Sequence, residues 1–177
     1  KSSQKEAPVL VMDAQHVSIT EDDHPMADDK LLLELSQESV LFGLDQDALS
    51  FSPQSRLGLL QIAGEGTIII DNFEALGQQV QKKIRTYIDS GSFSRVGTDT
   101  TIRSHARIIA ASTKTFEALQ ECGEMNTDLL HLFSSHTIHI APLRKRKKDI
   151  RLIAQNILER HTRQSGKTIS GMEPEAY

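Results

Sequence analysis

The chain has 177 residues, of which 38% are apolar and 25% charged, a size and composition typical of one globular domain or slightly more. This mixture excludes a wholly disordered chain and a fibrous protein. No apolar run approaches the roughly 18 residues of a membrane span. The single cysteine, Cys122, excludes a disulfide framework or a thiolate metal cluster built within the chain. We therefore expect a cytoplasmic protein without a membrane segment.

The net charge of −4 conceals two oppositely charged regions. Residues 1–50 contain 3 basic and 11 acidic side chains, whereas residues 144–168 contain 9 basic and 2 acidic ones. This polarity is typical of a solvated face, but it also fits complementary contact within one chain or head-to-tail contact between copies. Five consecutive cations occupy residues 144–148. Because the chain has no tryptophan and 5% aromatic residues, little is available to stack on bases, and we expect no direct DNA binding by this segment.

The first third of the chain alternates between apolar and acidic segments. An apolar run that opens with proline at residues 8–14 predicts a buried strand. Residues 20–29 are rich in acidic side chains and predict a loop. The leucines of residues 31–35 predict the core face of a helix that continues to about Ser39, and residues 43–56 predict a loop or an interrupted helix.

The clearest predicted element is the sequence Gly-Thr-Ile-Ile-Ile-Asp at residues 66–71. Three consecutive β-branched residues favour a strand that is covered on both faces, as in parallel sheets. Asp71 stands at the carboxyl end of this strand, where open α/β sheets place their ligands. Residues 77–90 then show the spacing of an amphipathic helix, which Gly91 ends.

The remaining sequence repeats the alternation of strand and helix. Residues 106–111 predict a second strand, and residues 116–122 predict a helix. Residues 136–140 predict a third strand, and residues 149–164 a long amphipathic helix. Strands that alternate with helices indicate an α/β fold with a mostly parallel sheet.

Five sequence blocks occur in a characteristic order at nearly ungapped spacing: residues 38–43, 66–71, 91–97, 107–112, and 142–144 with 149–150. With these blocks the chain resembles the central AAA+ ATPase domain of bacterial sigma-54-dependent transcription activators, from about Leu41 to Tyr177 and more loosely from Pro8. The resemblance implies a P-loop NTPase-like parallel sheet with flanking helices over residues 1–148, incomplete at its amino end. It also implies the start of a helical lid over residues 149–177.

Members of this family form hexameric rings, bind ATP with Mg²⁺ between subunits, and remodel sigma-54 RNA polymerase. The resemblance therefore implies self or related AAA+ subunits as partners, and ATP and Mg²⁺ as cofactors of a longer chain. A P-loop requires Gly-x-x-x-x-Gly-Lys-Ser/Thr after a strand. The only Gly-Lys-Thr is at residues 166–168, where His161 replaces the first glycine and a predicted helix precedes it. We interpret this match as accidental and expect the P-loop to be missing from these residues.

The acidic pair of the family falls on Asp71 and Asn72. In the family the aspartate holds the Mg²⁺ shell and the following glutamate orients the attacking water. The resemblance therefore assigns ATP and Mg²⁺ binding to Asp71, although an aspartate at this point also fits a simple cap of the turn. Asn72 cannot accept a proton, and the loss of a positioned general base typically lowers a rate by about 10²–10⁴.

Two arginine fingers of the family, which reach the nucleotide of the neighbouring subunit, fall on Asn126 and Leu132. An arginine finger is worth about 10³–10⁵ in phosphoryl-transfer rate. The family position that senses the γ-phosphate falls on Thr113, whose hydroxyl fits either that role or an ordinary strand end. The sigma-54 contact loop falls on residues 47–52, where both family glycines are missing, so we expect only weak contact with sigma factor or RNA polymerase by the usual route.

Two smaller groups of residues favour structural roles. His136 and His139 point to opposite faces of the predicted strand, because successive side chains alternate between faces, so we expect no metal site from these two and His131. Cys122 has no neighbouring base that marks it as a nucleophile.

The sequence thus predicts a degenerate AAA+ module with little or no ATP hydrolysis that regulates transcription through protein–protein contacts. An active sigma-54 activator whose P-loop lies upstream is the alternative. A scaffold that joins active subunits in a mixed ring is a third hypothesis.

Overall fold

The computed structural model describes residues 7–17, 29–46, 48 and 55–166. The chain divides into two compact units, Lys1–His136 and Thr137–Tyr177. The elements of the first unit are, in chain order, β1 (Val9–Asp13), α1 (Asp29–Phe42), β2 (Gly43–Leu44), β3 (Arg56–Leu57), α2 (Leu59–Ala63), β4 (Thr67–Asp71), α3 (Gln78–Ser90), β5 (Ser92–Ser94), β6 (Thr101–Arg103), β7 (Arg107–Ala110), α4 (Phe116–Cys122) and α5 (Thr127–Ser134).

A three-stranded parallel sheet in the order β1-β4-β7 organises this unit and confirms the predicted α/β class. Val9 lies opposite Thr67, and Asp13 lies opposite Asp71, so the strands β1 and β4 end together. Gly66 is required where the two strands enter the sheet, because a Cβ atom there would lie 2.2 Å from the carbonyl oxygen of Pro8. The register places the residues that follow each strand at one edge, as parallel pairing dictates.

One face of this sheet is the main core of the unit. Met12, Ile68 and Ile70 are buried there and form one hydrophobic cluster with Leu60 of α2 and Ile84 of α3. The predicted helix at residues 77–90 is confirmed as α3, and Gly91 ends it with a positive φ of 65° while its N–H donates to the Tyr87 carbonyl. Burial of several large aliphatic side chains, worth roughly 1.5–3 kcal/mol each, stabilises this layer.

The opposite face of the sheet is largely uncovered in the described residues. Val9 is 64% exposed, Val11 is 66% exposed and Ile109 is 40% exposed. These residues alternate with the buried ones and lie beside Ile69 in register, so they share a face. The isoleucine run predicts a strand covered on both faces, but within the described part of the chain only one face of β4 is deeply buried.

Two small antiparallel pairs border α1 and α3. The strands β5 and β6 form a hairpin in which Phe93 packs against Phe42 and Tyr87, with ring centroids 5.9 and 6.0 Å apart. Gly43 pairs with Leu57 in the β2–β3 bridge. The predicted loop at residues 43–56 therefore begins and ends in short strands. The predicted loop at residues 20–29 lies outside the described residues except at Asp29, which begins α1.

The second unit contains a 3₁₀ turn at Leu143–Lys145 and the helix α6 at Lys147–Ser165, which confirms the predicted helix at 149–164 and extends it at both ends. No described residue of this unit is buried. The predicted strand at residues 136–140 was wrong: this segment forms no strand, and Ile138 is 87% exposed. A strand exists only through hydrogen bonds to a neighbouring strand, and no described strand pairs with this segment.

Candidate functional site at the carboxyl edge of the sheet

The carboxyl ends of β1 and β4 bring Asp13 and Asn72 together. The side-chain Nδ2 of Asn72 donates to Oδ1 of Asp13 at 2.8 Å. The backbone N–H of Gln15 donates to the same oxygen at 2.9 Å, and Nδ1 of His16 lies 2.8 Å from Oδ2. Asp13 is thus the acceptor at the centre of a small polar network that links the two strand ends.

These hydrogen bonds hold the pKa of the Asp13 carboxyl at about 2, well below its ordinary value. The largest cause is the hydrogen bond from Asn72, followed by the bonds from His16 and from the Gln15 backbone. Donors that point at the carboxylate stabilise its charged form. Asp13 therefore stays ionised at neutral pH with its hydrogen-bonding capacity largely occupied.

Asn72 adopts the left-handed conformation, with φ 51° and ψ 46°, and no other non-glycine residue among those described has positive φ. Asparagine tolerates this region better than most residues because its short polar side chain bonds locally. Its backbone N–H donates to Oδ1 of Asp71 at 3.0 Å. The structure thus fixes Asn72 between two carboxylates, and its side-chain amide is directed to Asp13.

Asp71 and Thr113 also lie at the carboxyl edge of the sheet, where the sequence predicts them. Both residues are exposed. The Thr113 hydroxyl donates to Oε1 of Glu74 at 3.3 Å, so it has a local partner in the 3₁₀ turn Phe73–Ala75. Within the described ranges, no group of three or more histidine, cysteine, aspartate or glutamate residues is arranged to hold a metal ion. A magnesium role for Asp71 remains a prediction.

A buried glutamine holds this edge in place from α1. Gln37 is fully buried, and its Nε2 donates to the carbonyls of Ala14 at 2.7 Å and Ala75 at 2.9 Å. Its Oε1 accepts from the N–H of Gly77 at 2.8 Å. One side chain thereby joins the segment after β1 to the segment after β4. The leucine run predicts α1 but not this polar centre: Leu31 is 55% exposed, and the most buried positions follow it.

Of the predicted arginine-finger positions, Asn126 directly precedes α5 and Leu132 lies on it. Asn126 caps this helix, because its Oδ1 accepts from the N–H of Leu129 at 3.0 Å. Its own N–H donates to Oε1 of the buried Gln81 at 2.7 Å. Leu132 is 37% exposed on the same helix. Asn126 therefore has a structural function that a crossing arginine could not perform.

The helix α5 is joined to the candidate site through an aromatic pair. The rings of Phe73 and Phe133 meet edge to face with centroids 5.1 Å apart. Phe73 directly follows Asn72 and is buried. The residues at the sheet edge are thus connected, through the contact between Phe73 and Phe133, to the helix α5.

Other predicted features lie elsewhere. The loop at residues 47–52 lies outside the described residues except for Ala48. Gly166 ends α6 with a φ of 66°, so the first residue of the Gly-Lys-Thr match follows a helix, as predicted. His136 and Cys122 are exposed, and His131 lies 6.2 Å from the Phe116 ring. No helix in the described ranges has the length and apolarity needed to cross a bilayer.

Asp13 and His16 are the site residues that sequence reasoning missed. The signal was available, because Asp13 ends a predicted strand in the same way as Asp71. The sequence does not predict the register of β1 against β4, and it is this register that brings Asn72 to Asp13.

The architecture has counterparts among solved structures. NtrX from Brucella abortus has a TM-score of 0.74 to this chain at 22% identity, over 99% of this chain and 35% of that one. A crystal structure of the same protein in complex with ATP has a TM-score of 0.74 at 20% identity and covers 97% and 34% of the two chains. The sheet, its flanking helices and its polar carboxyl edge define a partial α/β domain of the AAA+ class.

Sequence comparison identifies the family within this class. The sigma-54 interaction domain family matches residues 27–139. The chain belongs to this family, and the predicted resemblance is confirmed.

The curated relatives that match this chain are named as regulatory proteins. The chain is 32% identical to the transcriptional regulatory protein XylR of Pseudomonas putida, over 78% of this chain and 25% of that protein. It is 30% identical to the regulatory protein AtoC of Escherichia coli K12, over 78% and 30%. It is 30% identical to a Nif-specific regulatory protein of Rhizobium leguminosarum bv. trifolii, over 75% and 38%. The chain therefore spans well under half the length of these relatives.

Proposed function

We propose that this chain is a degenerate AAA+ module of a cytoplasmic transcription regulator, which acts through protein–protein contacts and hydrolyses ATP weakly or not at all. The observation that carries the proposal is the hydrogen bond from Asn72 to Asp13. In an active family site, a free carboxylate next to Asp71 would orient water. Here that position carries an amide whose side chain is already bound to a neighbouring carboxylate.

The α5 contacts support the same proposal. Asn126 is committed to capping its own helix, and Leu132 carries no charge. Neither residue carries the positive charge with which an arginine finger stabilises the transition state at a neighbouring nucleotide. The effects of substituting residues that act together in catalysis are not additive. We therefore expect that restoring one family residue leaves the hydrolysis rate limited by the others that are absent.

The described residues do not fit an ATP–Mg²⁺ complex on their own. The carboxyl edge offers Asp71 and Thr113, but no glycine-rich loop with lysine lies beside them in the described ranges. ATP and Mg²⁺ binding therefore belong to the alternative function, an active sigma-54 activator whose P-loop is supplied upstream. NtrX, which has a similar fold, has been crystallised with ADP and with ATP, and this supports the alternative for a longer chain.

An ATPase assay tests the proposal, and it is run on the full-length protein that contains this chain, because the alternative places its P-loop upstream. We expect phosphate release at the buffer level, and we expect no gain from Asn72→Glu alone. A relative with the intact acidic pair and both arginines is the positive control. ATP turnover near that of this relative would refute the proposal and favour the active alternative.

The scaffold hypothesis has a separate readout. A degenerate subunit that joins a mixed ring should co-purify with a family member that supplies arginine fingers. Light scattering that shows only separate monomers in a mixture of the two would exclude this form of the proposal. Contact with sigma factor or RNA polymerase is measured in the same way, and we expect weak contact because the loop at 47–52 lacks both glycines.

A further inference from the structure

The helix α6 presents apolar side chains to solvent in a unit that has no core among its described residues. Leu152, Ile153 and Ile157 are all exposed, Leu152 the most at 69%, and we call these three residues the α6 stripe. No described residue of this unit is buried, so nothing in the described part of the unit covers the stripe. Exposed apolar residues are ordinary when they are scattered singly, but a contiguous patch marks a contact site.

The α6 stripe is contiguous because its members occupy neighbouring positions of the helix. Ile153 and Ile157 are four residues apart and therefore lie on the same side, one turn from each other. Leu152, Asn156 and Arg160 form the adjacent row with the same spacing. These five side chains line an open cavity of about 370 Å³. The cavity has room for an apolar side chain of a partner.

Positive charge surrounds the α6 stripe. Arg160 lines the cavity itself, and residues 144–148 are five consecutive cations at the start of the helix. Residues 144–165 contain eight lysine and arginine residues but only two acidic residues, Asp149 and Glu159. Both acidic residues already pair with cations of the same unit, at 3.5 and 3.9 Å. A negatively charged partner therefore complements this surface.

The combination of an apolar stripe and flanking cations selects among possible occupants. A second copy of α6 is disfavoured, because two helices with the same excess of positive charge repel each other. A nucleic acid is disfavoured, because residues 144–165 contain no aromatic ring on which a base could stack. A bilayer surface is disfavoured, because the stripe lies within about two helical turns and has no tryptophan or phenylalanine. A helix that seats its apolar side in the cavity, with carboxylates beside it, fits both the shape and the charge.

We propose that the α6 stripe is the docking surface for an acidic amphipathic helix of a different protein. The apolar side of that helix enters the cavity, and its flanking carboxylates pair with Arg160 and with the cations at residues 144–148. This proposal names the kind of partner for the protein–protein role given above and rests on that role. Docking supplies the tertiary burial that α6 lacks, so the partner orders the helix as it binds.

Fluorescence anisotropy on the full-length protein that contains this chain tests the docking surface. The probe is a labelled synthetic helix with leucine at positions i, i+3, i+4 and i+7 and glutamate on both flanks. A second probe carries lysine in place of every glutamate. We expect the acidic helix to bind at least about tenfold more tightly than the basic one. This difference should shrink as NaCl rises to about 300 mM, since exposed charge pairs are screened by salt.

Variants separate the apolar contact from the charge. Ile153→Ala/Ile157→Ala should weaken binding of the acidic helix by about tenfold or more, because both anchors beside the cavity are lost. Ile62→Ala/Ile88→Ala makes the same change at exposed isoleucines of the first unit and should leave binding unchanged. Arg160→Glu should weaken binding of the acidic helix and strengthen binding of the basic one, an exchange that a purely structural role of Arg160 does not produce. Circular dichroism verifies that every variant is folded.

Five results would overturn the proposal. The two probes could bind equally, or the control pair could weaken binding as much as Ile153→Ala/Ile157→Ala. Hydrogen exchange in the free full-length protein that protects α6 as well as α3 would show that another segment of the same protein covers the stripe. Self-association that is lost in Ile153→Ala/Ile157→Ala would assign the stripe to a second copy. Binding of phosphatidylserine vesicles that is lost in the same variant, without binding of the acidic helix, would assign it to a lipid surface.

The readout of this experiment is helix binding and not phosphate release. A full-length protein that hydrolyses ATP but binds the acidic helix through the α6 stripe would refute the proposed function and leave this inference standing. Absence of hydrolysis together with equal binding of the two probes would do the reverse. The two failures are therefore distinguishable.

Discussion

At the scale of single residues, Asp13 and Asn72 determine the chemistry of the carboxyl edge. The amide of Asn72 stabilises the charge on Asp13, and Asp13 in return holds Asn72 in its left-handed conformation. The two residues meet because the register of β1 and β4 sets Asp13 beside Asp71, the residue before Asn72. It gives the edge a fixed negative charge at the end of β1, beside an uncharged amide at the end of β4.

The lowered pKa of Asp13 makes a pH dependence measurable. Because the folded pKa is about 2 and the ordinary value is roughly 3.9, the folded chain binds fewer protons through this group than the unfolded chain. Its stabilising contribution is complete above about pH 4 and is lost as the pH falls toward 2.

Urea unfolding of the parent and of Asp13→Asn between pH 4 and 2 measures this effect. We expect a smaller decline in the variant. Asp99→Asn, in an exposed loop, is the control. Equal declines in parent and Asp13→Asn would contradict the assignment.

Asn126 yields a second prediction at this scale. Replacing it with arginine, the residue that the family resemblance predicts there, removes the cap of α5, so we expect a loss of about 1 kcal/mol in unfolding free energy. Asn126→Asp keeps a capping oxygen and is the matched control. Thermal unfolding measures both, and phosphate release from Asn126→Arg should stay at the buffer level. A stability equal to the parent would show that the cap contributes nothing.

At the scale of elements, the helices are held together by buried glutamines as well as by apolar side chains. Gln81 of α3 is 1% exposed, and its Nε2 donates to the carbonyls of Leu76 at 2.7 Å and Glu124 at 3.2 Å. Its Oε1 accepts from Asn126, so it links α3 to the segment between α4 and α5. A single side chain thus fixes the start of α5.

Gln81→Leu should therefore be costly. Leaving buried carbonyl and N–H groups without partners costs roughly 1–3 kcal/mol each, so we expect a total loss of about 3 kcal/mol in unfolding free energy. Gln78→Leu, at an exposed position of the same helix, is the matched control. Chemical denaturation compares the two. Similar stabilities would mean that water or repacking replaces the Gln81 bonds.

Most elements with a strong local signal were predictable from the sequence. The isoleucine run located β4, and the spacing of Val80, Ile84 and Tyr87 located α3, because these patterns are imposed by the core itself. The segment at 136–140 carries the same local signal, but strand formation depends on a partner elsewhere in the chain. The contact between Asn72 and Asp13 was likewise beyond the sequence, since it joins residues 59 positions apart.

At the scale of the whole molecule, the two units differ in how they are stabilised. The first unit has a core of buried side chains on one face of its sheet, whereas no described residue of the second is buried. A single helix without tertiary burial is marginal in water, even at 19 residues. The order and stability of α6 are therefore expected to depend on a partner.

Hydrogen exchange followed by mass spectrometry tests this difference. In the dilute chain at high salt, peptides from α6 should exchange far faster than peptides from β4, which lies at the centre of the sheet. The helix α3 is the internal control, because it packs on the core. Protection of α6 equal to that of α3 under these conditions would contradict the expectation.

The sheet itself ends at β1 and β7, and among the described strands each of these has a neighbour on one side only. Peptide groups along such borders are free to recruit further strands, which is how cross-β aggregates grow. Asp13 is the last residue of β1, and Arg107 is the first residue of β7. We expect these charges to oppose such growth, because every further copy of the strand would add a like charge beside the last one. We therefore expect that neutralising both residues together raises the tendency of the folded chain to aggregate through these sheet edges.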